Sequence, residues 1–304
     1  MFIEEYLQDL RRERYSIIAW AIYVHRVAAR VRLDLLANPL AVRSIWTVAL
    51  AYFGGAFLAA VGMSLAWDRD LAERFFLNTS LWILPAFLFV TLFVGHLRDE
   101  QGHRLSGLNL PLMLTLLRVA LVPGIALFLV ERHFVPALIT YVVASLSDVL
   151  DGYLARRWRQ TTPLGRVLDP LVDIVFNAAM LAGLAAAQLL ASWVFWVAVL
   201  RYAVLLVGGA GLYLFVGPVR LQPTFFGRMT GVMSTSLIAL FTLTVAVRGE
   251  AAQSLTRLTE IALGVMLSAT VFQVVALGWY NLRLMTGGTR QTGSVVGDVQ
   301  GRAS

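Results

Sequence analysis

The sequence predicts an all-α protein, a polytopic bundle of about eight transmembrane helices. Of its 304 residues, 59% are hydrophobic and only 14% are charged, whereas soluble domains carry about 25% charged residues. Apolar runs long enough to cross a bilayer as helices recur along the chain, and polar breaks separate them. These two observations place the chain in a membrane before any motif is considered.

Composition divides the chain into four regions. Residues 1–43 carry seven arginines among aromatic and aliphatic residues, which predicts an amphipathic juxtamembrane region on the membrane surface; a cap packed on the bundle is the alternative. Residues 44–104 hold two predicted spans, and residues 105–285 hold six. Residues 286–304 are rich in Gly, Thr and Ser, which predicts a disordered cytoplasmic tail. The predicted spans lie near residues 45–67, 79–97, 112–130, 134–154, 168–190, 193–215, 229–247 and 259–281.

The basic residues predict the orientation. All 25 are arginines and the net charge is +7. With the N-terminus in the cytoplasm, 18 arginines fall on the cytoplasmic side and 5 on the other, and loops on the cytoplasmic side are those that retain positive charge. Both termini are therefore predicted inside, in a bacterium at the inner (plasma) membrane. Binding of nucleic acid is not indicated, since no motif for it accompanies the charge.

Four aspartates are concentrated in one segment. Asp148 and Asp151 share a helix face, and Asp169 and Asp173 share a face of the next span. A charge at the bilayer centre costs about 2.5–3.5 kcal/mol, and neighbouring carboxylates repel one another unless a cation lies between them. No basic residue is spaced along the chain to neutralise all four. We therefore predict that they bind Mg²⁺ or Mn²⁺, which prefer oxygen ligands and commonly bridge phosphates.

Small and polar residues accompany the carboxylates. Gly152 and Ala155 open a slot for a bulky ligand, although packing between helices is an alternative reason for small residues. Gly165 permits a close approach at the loop end, and Thr162 offers a hydroxyl. Arg156 is suited to pair with a phosphate oxygen. The segment as a whole predicts a site for a phosphate-containing ligand.

The spacing D-x2-D-G-x2-A-R-x8-G-x3-D-x3-D is filled at every fixed position by Asp148, Asp151, Gly152, Ala155, Arg156, Gly165, Asp169 and Asp173. On this pattern residues 105–285 resemble the CDP-alcohol phosphatidyltransferases. The resemblance implies transfer of a phosphatidyl (phospho-alcohol) group from CDP-diacylglycerol to an alcohol, with release of CMP, in phospholipid biosynthesis. It also implies two divalent ions on the four aspartates and Asp173 as general base. The site for the nucleotide and CDP-lipid is expected to consist of Gly152, Ala155, Arg156, Thr162, Gly165 and Thr115.

Weaker matches point to one branch of that family. The segment from Asn109 to Arg118, which includes Thr115, resembles the opening of the first core span, and that span borders the nucleotide site. Arg201 and the segment around Arg228 resemble the phosphatidylglycerophosphate and cardiolipin synthases. The resemblance implies that Arg118, Arg201 and Arg228 bind an anionic acceptor such as glycerol 3-phosphate.

Other interpretations remain open at this stage. Arg118 and Arg228 could simply snorkel to the interface, and Arg201 could hydrogen bond another span. Ile174 stands where the branch usually has Lys, so an inositol compound, serine or another alcohol is an alternative acceptor. An ion-coupled transporter is the alternative from another class of protein. Many family members are homodimers, and although the resemblance raises this expectation, no sequence feature here indicates it.

Overall fold

The computed structural model describes residues 2–215, 225–247 and 250–300. These ranges contain ten α-helices, one 3₁₀ turn and no strand. The helices are α1 (Phe2–Arg12), α2 (Ile17–Ala37), α3 (Pro39–Ala66), α4 (Arg69–Leu92), α5 (Leu110–Val130), α6 (Phe134–Arg157), α7 (Pro163–Ala186), α8 (Ser192–Phe215), α9 (Phe225–Ala246) and α10 (Glu250–Gln300).

Eight helices, α3 to α10, are long and apolar enough to cross a membrane. This confirms the predicted all-α class and the predicted number of spans, and the chain is an integral membrane protein. Two boundaries differ from the prediction. The second span begins ten residues earlier, because the Asp68 carboxylate caps α4 by accepting a hydrogen bond from the backbone N–H of Leu71 at 3.2 Å. The last helix continues through residues 286–300, the predicted disordered tail, where no proline interrupts the backbone ladder.

Two compact units make up the chain. The first unit consists of residues 1–23, 193–234 and 261–304, and the second consists of residues 24–192 and 235–260. All four aspartates of the motif belong to the second unit.

In the second unit, α5 packs against α4, α6 and α7. Glycines permit the close approaches. A Cβ atom at Gly124 of α5 would lie 2.8 Å from the Phe75 ring of α4, and one at Gly183 of α7 would lie 2.9 Å from the Leu129 side chain of α5. Because α5 has neighbours on several sides, a larger share of it is buried than of any other candidate span.

The loops of the second unit meet at two ends. At one end, the Thr161 hydroxyl donates to the Glu100 carboxylate at 2.5 Å, which joins the loop before α5 to the loop before α7. At the other end, Arg74 forms an ion pair of 2.5 Å with Glu131, which joins the start of α4 to the end of α5. The spans α4 to α7 therefore alternate in direction.

In the first unit, α1 packs against the end of α8. Leu7 and Leu10 are each only 1% exposed. The Arg11 Nε and the Tyr15 hydroxyl both donate to the backbone oxygen of Leu214 at 2.8 Å. The last carbonyls of a helix have no partner within it, and these side chains supply one. These contacts tie α1 to the end of α8.

Candidate active site

The four aspartates surround a buried arginine. Asp148 and Asp151 lie in the last turns of α6, Asp169 and Asp173 lie in the first turns of α7, and Arg118 reaches them from α5. The Arg118 Nη1 lies 2.7 Å from an oxygen of Asp148 and also contacts Asp173, while Nη2 lies 3.0 Å from Asp151. Arg118 is only 2% exposed. A single guanidinium therefore pairs with three of the four carboxylates.

This arrangement corrects one interpretation of Arg118. Snorkelling to the interface is wrong, because the side chain is buried and pairs with three carboxylates. No basic residue was predicted to neutralise all four carboxylates, and Arg118 brings one positive charge to three of them. The physical reason is tertiary. Arg118 is thirty residues from the first aspartate, and only the packing of α5 against both α6 and α7 brings them together. Its binding of an anionic acceptor stays a prediction.

Thr115 lies one turn before Arg118 and contacts two carboxylate oxygens, one of which also pairs with Arg118. Its hydroxyl lies 3.0 Å from Asp151 Oδ2 and 3.0 Å from Asp169 Oδ1. A hydroxyl carries one proton and can donate to only one of them at a time. With one arginine and one shared hydroxyl proton, the four carboxylates keep an excess of negative charge.

Carboxylate oxygens are the kind of ligand that a hard divalent cation prefers. In the described part of the chain, however, no three acidic or histidine side chains are gathered closely enough to bind a metal ion directly. The guanidinium of Arg118 stands between the carboxylates, so Arg118 provides the positive charge there in this structure.

A cleft of about 70 Å³ opens beside Asp151 and Asp169. Five of the six predicted nucleotide residues line it: Thr115, Gly152, Ala155, Thr162 and Gly165. Arg156 is exposed next to it, and a Cβ atom at Gly152 would lie 3.4 Å from its guanidinium. A Cβ atom at Gly165 would lie 3.2 Å from the Thr162 hydroxyl. Larger side chains at these two positions would therefore narrow the cleft.

Thr162 also begins α7. Its hydroxyl accepts a hydrogen bond from the backbone N–H of Gly165 at 3.0 Å, and Pro163 occupies the first helical position. The partial positive charge of a helix N-terminus attracts anions. The start of α7 thus adds backbone N–H groups and positive potential to a cleft that Asp151 and Asp169 also line.

A second cavity of about 330 Å³ adjoins the cleft, and the two share Asn109, Gln160, Thr161 and Thr162. This volume lies in the range of ligand pockets, about 300–1,000 Å³. Asn109 caps α5 by accepting from the backbone N–H of Leu112, and its side chain donates to the backbone oxygen of Gln160 at 2.8 Å. Asn109 was not among the predicted site residues, although an Asn before Leu-Pro is a helix-start signal that could have identified it.

A buried tyrosine links the helices beneath the carboxylates. Tyr141 is 1% exposed, and its hydroxyl lies 3.3 Å from Asn177 Oδ1 of α7 and 3.2 Å from the backbone oxygen of Thr235 of α9. Asn177 donates to the backbone oxygen of Asp173 at 2.9 Å. Tyr141 lies two turns before Asp148 on α6, and its role was missed because a tyrosine in a span is more often an interfacial residue.

The other predicted acceptor residues are less defined. Arg201 lies in the first unit on α8, where its guanidinium carbon is 5.3 Å from the ring centroid of Tyr202. Its buried Nε has no hydrogen-bond partner among the described residues. The side chain of Arg228 lies outside the described residues. Both assignments stay predictions.

Fold and site together define an integral membrane protein with four aspartates gathered beside a cleft at one end of the second unit. The family model for CDP-alcohol phosphatidyltransferase matches residues 108–293, and the chain belongs to this family. The predicted resemblance and enzyme class are thereby confirmed, which disfavours the transporter alternative. The matched residues include the whole aspartate motif and exclude α3 and α4.

Curated relatives agree with this assignment. A CDP-diacylglycerol--glycerol-3-phosphate 3-phosphatidyltransferase of Aquifex aeolicus is 31% identical over 136 residues, 44% of this chain and 75% of the relative. One of the same name from Pectobacterium atrosepticum is 46% identical over 76 residues, 24% of this chain and 42% of the relative. A cardiolipin synthase (CMP-forming) of Streptomyces coelicolor is 37% identical over 106 residues, 33% of this chain and 49% of the relative. The matches thus span less than half the length of the last two. No solved structure matches the chain significantly.

Proposed function

We propose that this protein transfers the phosphatidyl group of CDP-diacylglycerol to an alcohol and releases CMP. The observation that carries the proposal is the convergence of four aspartates on Arg118 and Thr115. Two of them, Asp151 and Asp169, line a cleft that glycines and a helix N-terminus also line. The names of the relatives and the family membership support the same reaction.

Charge balance supports a requirement for divalent cations. The carboxylates alone would repel a diphosphate, and Arg118 balances only one of the four negative charges. We propose that the four aspartates hold Mg²⁺ or Mn²⁺, two ions by analogy with the family. When bound, these cations would neutralise the diphosphate and the charge that develops on it during transfer.

The exposure of each carboxylate supports a division of roles. The Asp151 side chain is 6% exposed, which suits a fixed ligand, whereas that of Asp173 is 47% exposed and reachable by substrate. Asp173 accepts the proton of the acceptor hydroxyl as its oxygen attacks the phosphorus that carries the lipid. The bond from that phosphorus to the CMP oxygen breaks, and CMP leaves. Thr162 and the glycines hold the nucleotide, and exposed Arg156 pairs with a phosphate oxygen.

Glycerol 3-phosphate is the acceptor that the relatives favour, since the Aquifex and Pectobacterium proteins are named for it. We propose that Arg201 and Arg228 bind its phosphate. The buried Arg201 Nε without a partner among the described residues supports a role in ligand binding, because an unused donor inside a membrane protein is costly. Ile174 remains the feature that favours a neutral alcohol such as serine or inositol.

An acceptor screen tests the proposal. The purified protein is given CDP-diacylglycerol and Mg²⁺, and CMP release is measured with glycerol 3-phosphate, serine and inositol in turn. We expect release with glycerol 3-phosphate, and its loss in chelator and in Asp169→Asn. Asp70→Asn, at the opposite end of the unit, is the matched control and should retain activity. Full activity in chelator would contradict the metal assignment, and release with serine or inositol alone would contradict the acceptor.

A further inference from the structure

A proline interrupts the backbone of the helix that carries Arg118 and Thr115. Pro123 lies inside α5 and has no N–H group, so the backbone oxygen of Val119 lacks its usual donor four residues later. Val119 directly follows Arg118 and is buried. An unpaired carbonyl in the apolar interior costs several kcal/mol, so this position needs a donor from elsewhere.

Trp82 of α4 supplies that donor. Its indole N–H donates to the backbone oxygen of Val119 at 2.9 Å. Phe75 lies two turns earlier on the same face of α4, and its ring occupies the space left by Gly124, the residue after Pro123. Helix α4 thus compensates for Pro123 in two ways. Trp82 supplies a hydrogen bond before the proline, and the Phe75 ring packs against Gly124 after it.

A second donor acts on α5 from α3. The hydroxyl of Tyr52 donates to the backbone oxygen of Met113 at 2.5 Å. Met113 lies two residues before Thr115, and Val119 lies one residue after Arg118. Donors from α3 and α4 therefore hold α5 on both sides of its two site residues. Both helices lie outside residues 108–293, which the family model matches.

We propose that Trp82 is a positioning residue of the transferase, and that α3 and α4 serve as a brace that sets the backbone of α5 at Arg118 and Thr115. The proposal rests on the proposed function. The Trp82 hydrogen bond substitutes for the ladder bond that Pro123 removes, so its importance depends on that proline. If residue 123 regained an N–H, the Val119 oxygen would find its donor inside α5.

A mutant cycle between Trp82 and Pro123 tests this dependence. Trp82→Phe keeps an aromatic ring and loses the N–H. We expect kcat for CMP release to fall on the order of tenfold, because displacement of a catalytic group by about 1 Å can cost up to 10²-fold. The KM for CDP-diacylglycerol should change little, since only three of the thirteen cleft residues lie on α5. Trp46→Phe on α3 is the control and should be neutral.

In the Pro123→Ala background, the same Trp82→Phe change should alter kcat less than about twofold, since the helix ladder is restored. Equal losses in both backgrounds, or no loss with Pro123 present, would overturn the proposal. If Trp82→Phe alone fails to fold, the proposal requires that the double variant Trp82→Phe/Pro123→Ala folds. If the wild type releases no CMP, the proposed function fails, but thermal unfolding still tests the role of Trp82. Trp82→Phe must then lower Tm when Pro123 is present and leave Tm unchanged in the Pro123→Ala background.

Discussion

At the scale of single residues, Arg118 shows how charge is balanced in the site. Its guanidinium contacts three carboxylates, one of which, Asp151, is nearly fully buried. Removal of one partner of a buried ion pair costs more than the pair contributes, because the other charge stays buried without compensation. Arg118 is therefore needed for stability whenever no other cation is bound.

This argument predicts the behaviour of Arg118→Ala. The free energy of unfolding should fall by about 3–5 kcal/mol, the usual effect of breaking a buried pair. Mg²⁺ should raise the Tm of the variant more than that of the wild type, because a bound cation would replace the missing charge. Thermal unfolding in detergent, with and without Mg²⁺, measures both effects. Arg157→Ala is the control, because it removes an exposed arginine from the end of α6 that carries Asp148 and Asp151. If Arg118→Ala and Arg157→Ala had the same Tm, the charge-balance argument would be contradicted.

At the scale of helices, small residues decide how closely α5 and α7 approach. Gly183 faces Leu129, and a Cβ atom there would also lie 3.5 Å from the backbone of Ala126. The facing backbones leave little room, so an added methyl group must displace the Leu129 side chain. The same contact sets the separation of the two helices whose opposite ends carry Thr115 and Asp169.

We expect Gly183→Ala to destabilise the protein by about 1–3 kcal/mol, the usual effect of overpacking, measured as a fall in Tm. Leu129→Ala in the same chain should recover part of the loss by making room. Gly62→Ala on α3 is the matched control, since nothing lies within 4 Å of a Cβ atom there. That variant should be neutral or slightly stabilising, because Ala favours helix over Gly. Equal Tm values for the two variants would show that the contact is not tight.

At the scale of the whole molecule, the candidate active site lies at only one of the two ends of the second unit. The Glu100–Thr161 hydrogen bond and the acidic cleft lie at one end, and the Arg74–Glu131 ion pair lies at the other. The arginine distribution predicts that the end with the cleft faces the cytoplasm.

Single cysteines test this orientation, and the chain has none of its own. In intact cells, a Gln101→Cys variant should be shielded from a membrane-impermeant thiol reagent, because its loop lies at the cleft end. An Arg69→Cys variant should be labelled, since that side chain is 84% exposed at the opposite end. Permeabilised cells provide the control, in which both variants should react. Labelling of the Gln101→Cys variant from outside would reverse the topology.

The sequence by itself determined the features that depend on local spacing. Hydrophobic length predicted eight spans, because a bilayer requires about twenty apolar residues per helix. The i, i+3 and i, i+4 spacings placed each pair of aspartates on one helix face. The motif pointed to the family, and five of the six nucleotide residues that the resemblance implied line the cleft.

Only the tertiary structure decided which distant side chains share that site. Arg118 lies outside the aspartate motif, yet it pairs with three of the four aspartates. Trp82 carried no signal in the sequence, yet it donates to the backbone beside Arg118. The physical reason is that periodicity along one helix records which face is buried, whereas a contact between two helices depends on their separation and rotation. Those are set by packing at residues such as Gly124 and Gly183, whose effect appears only when the helices are brought together.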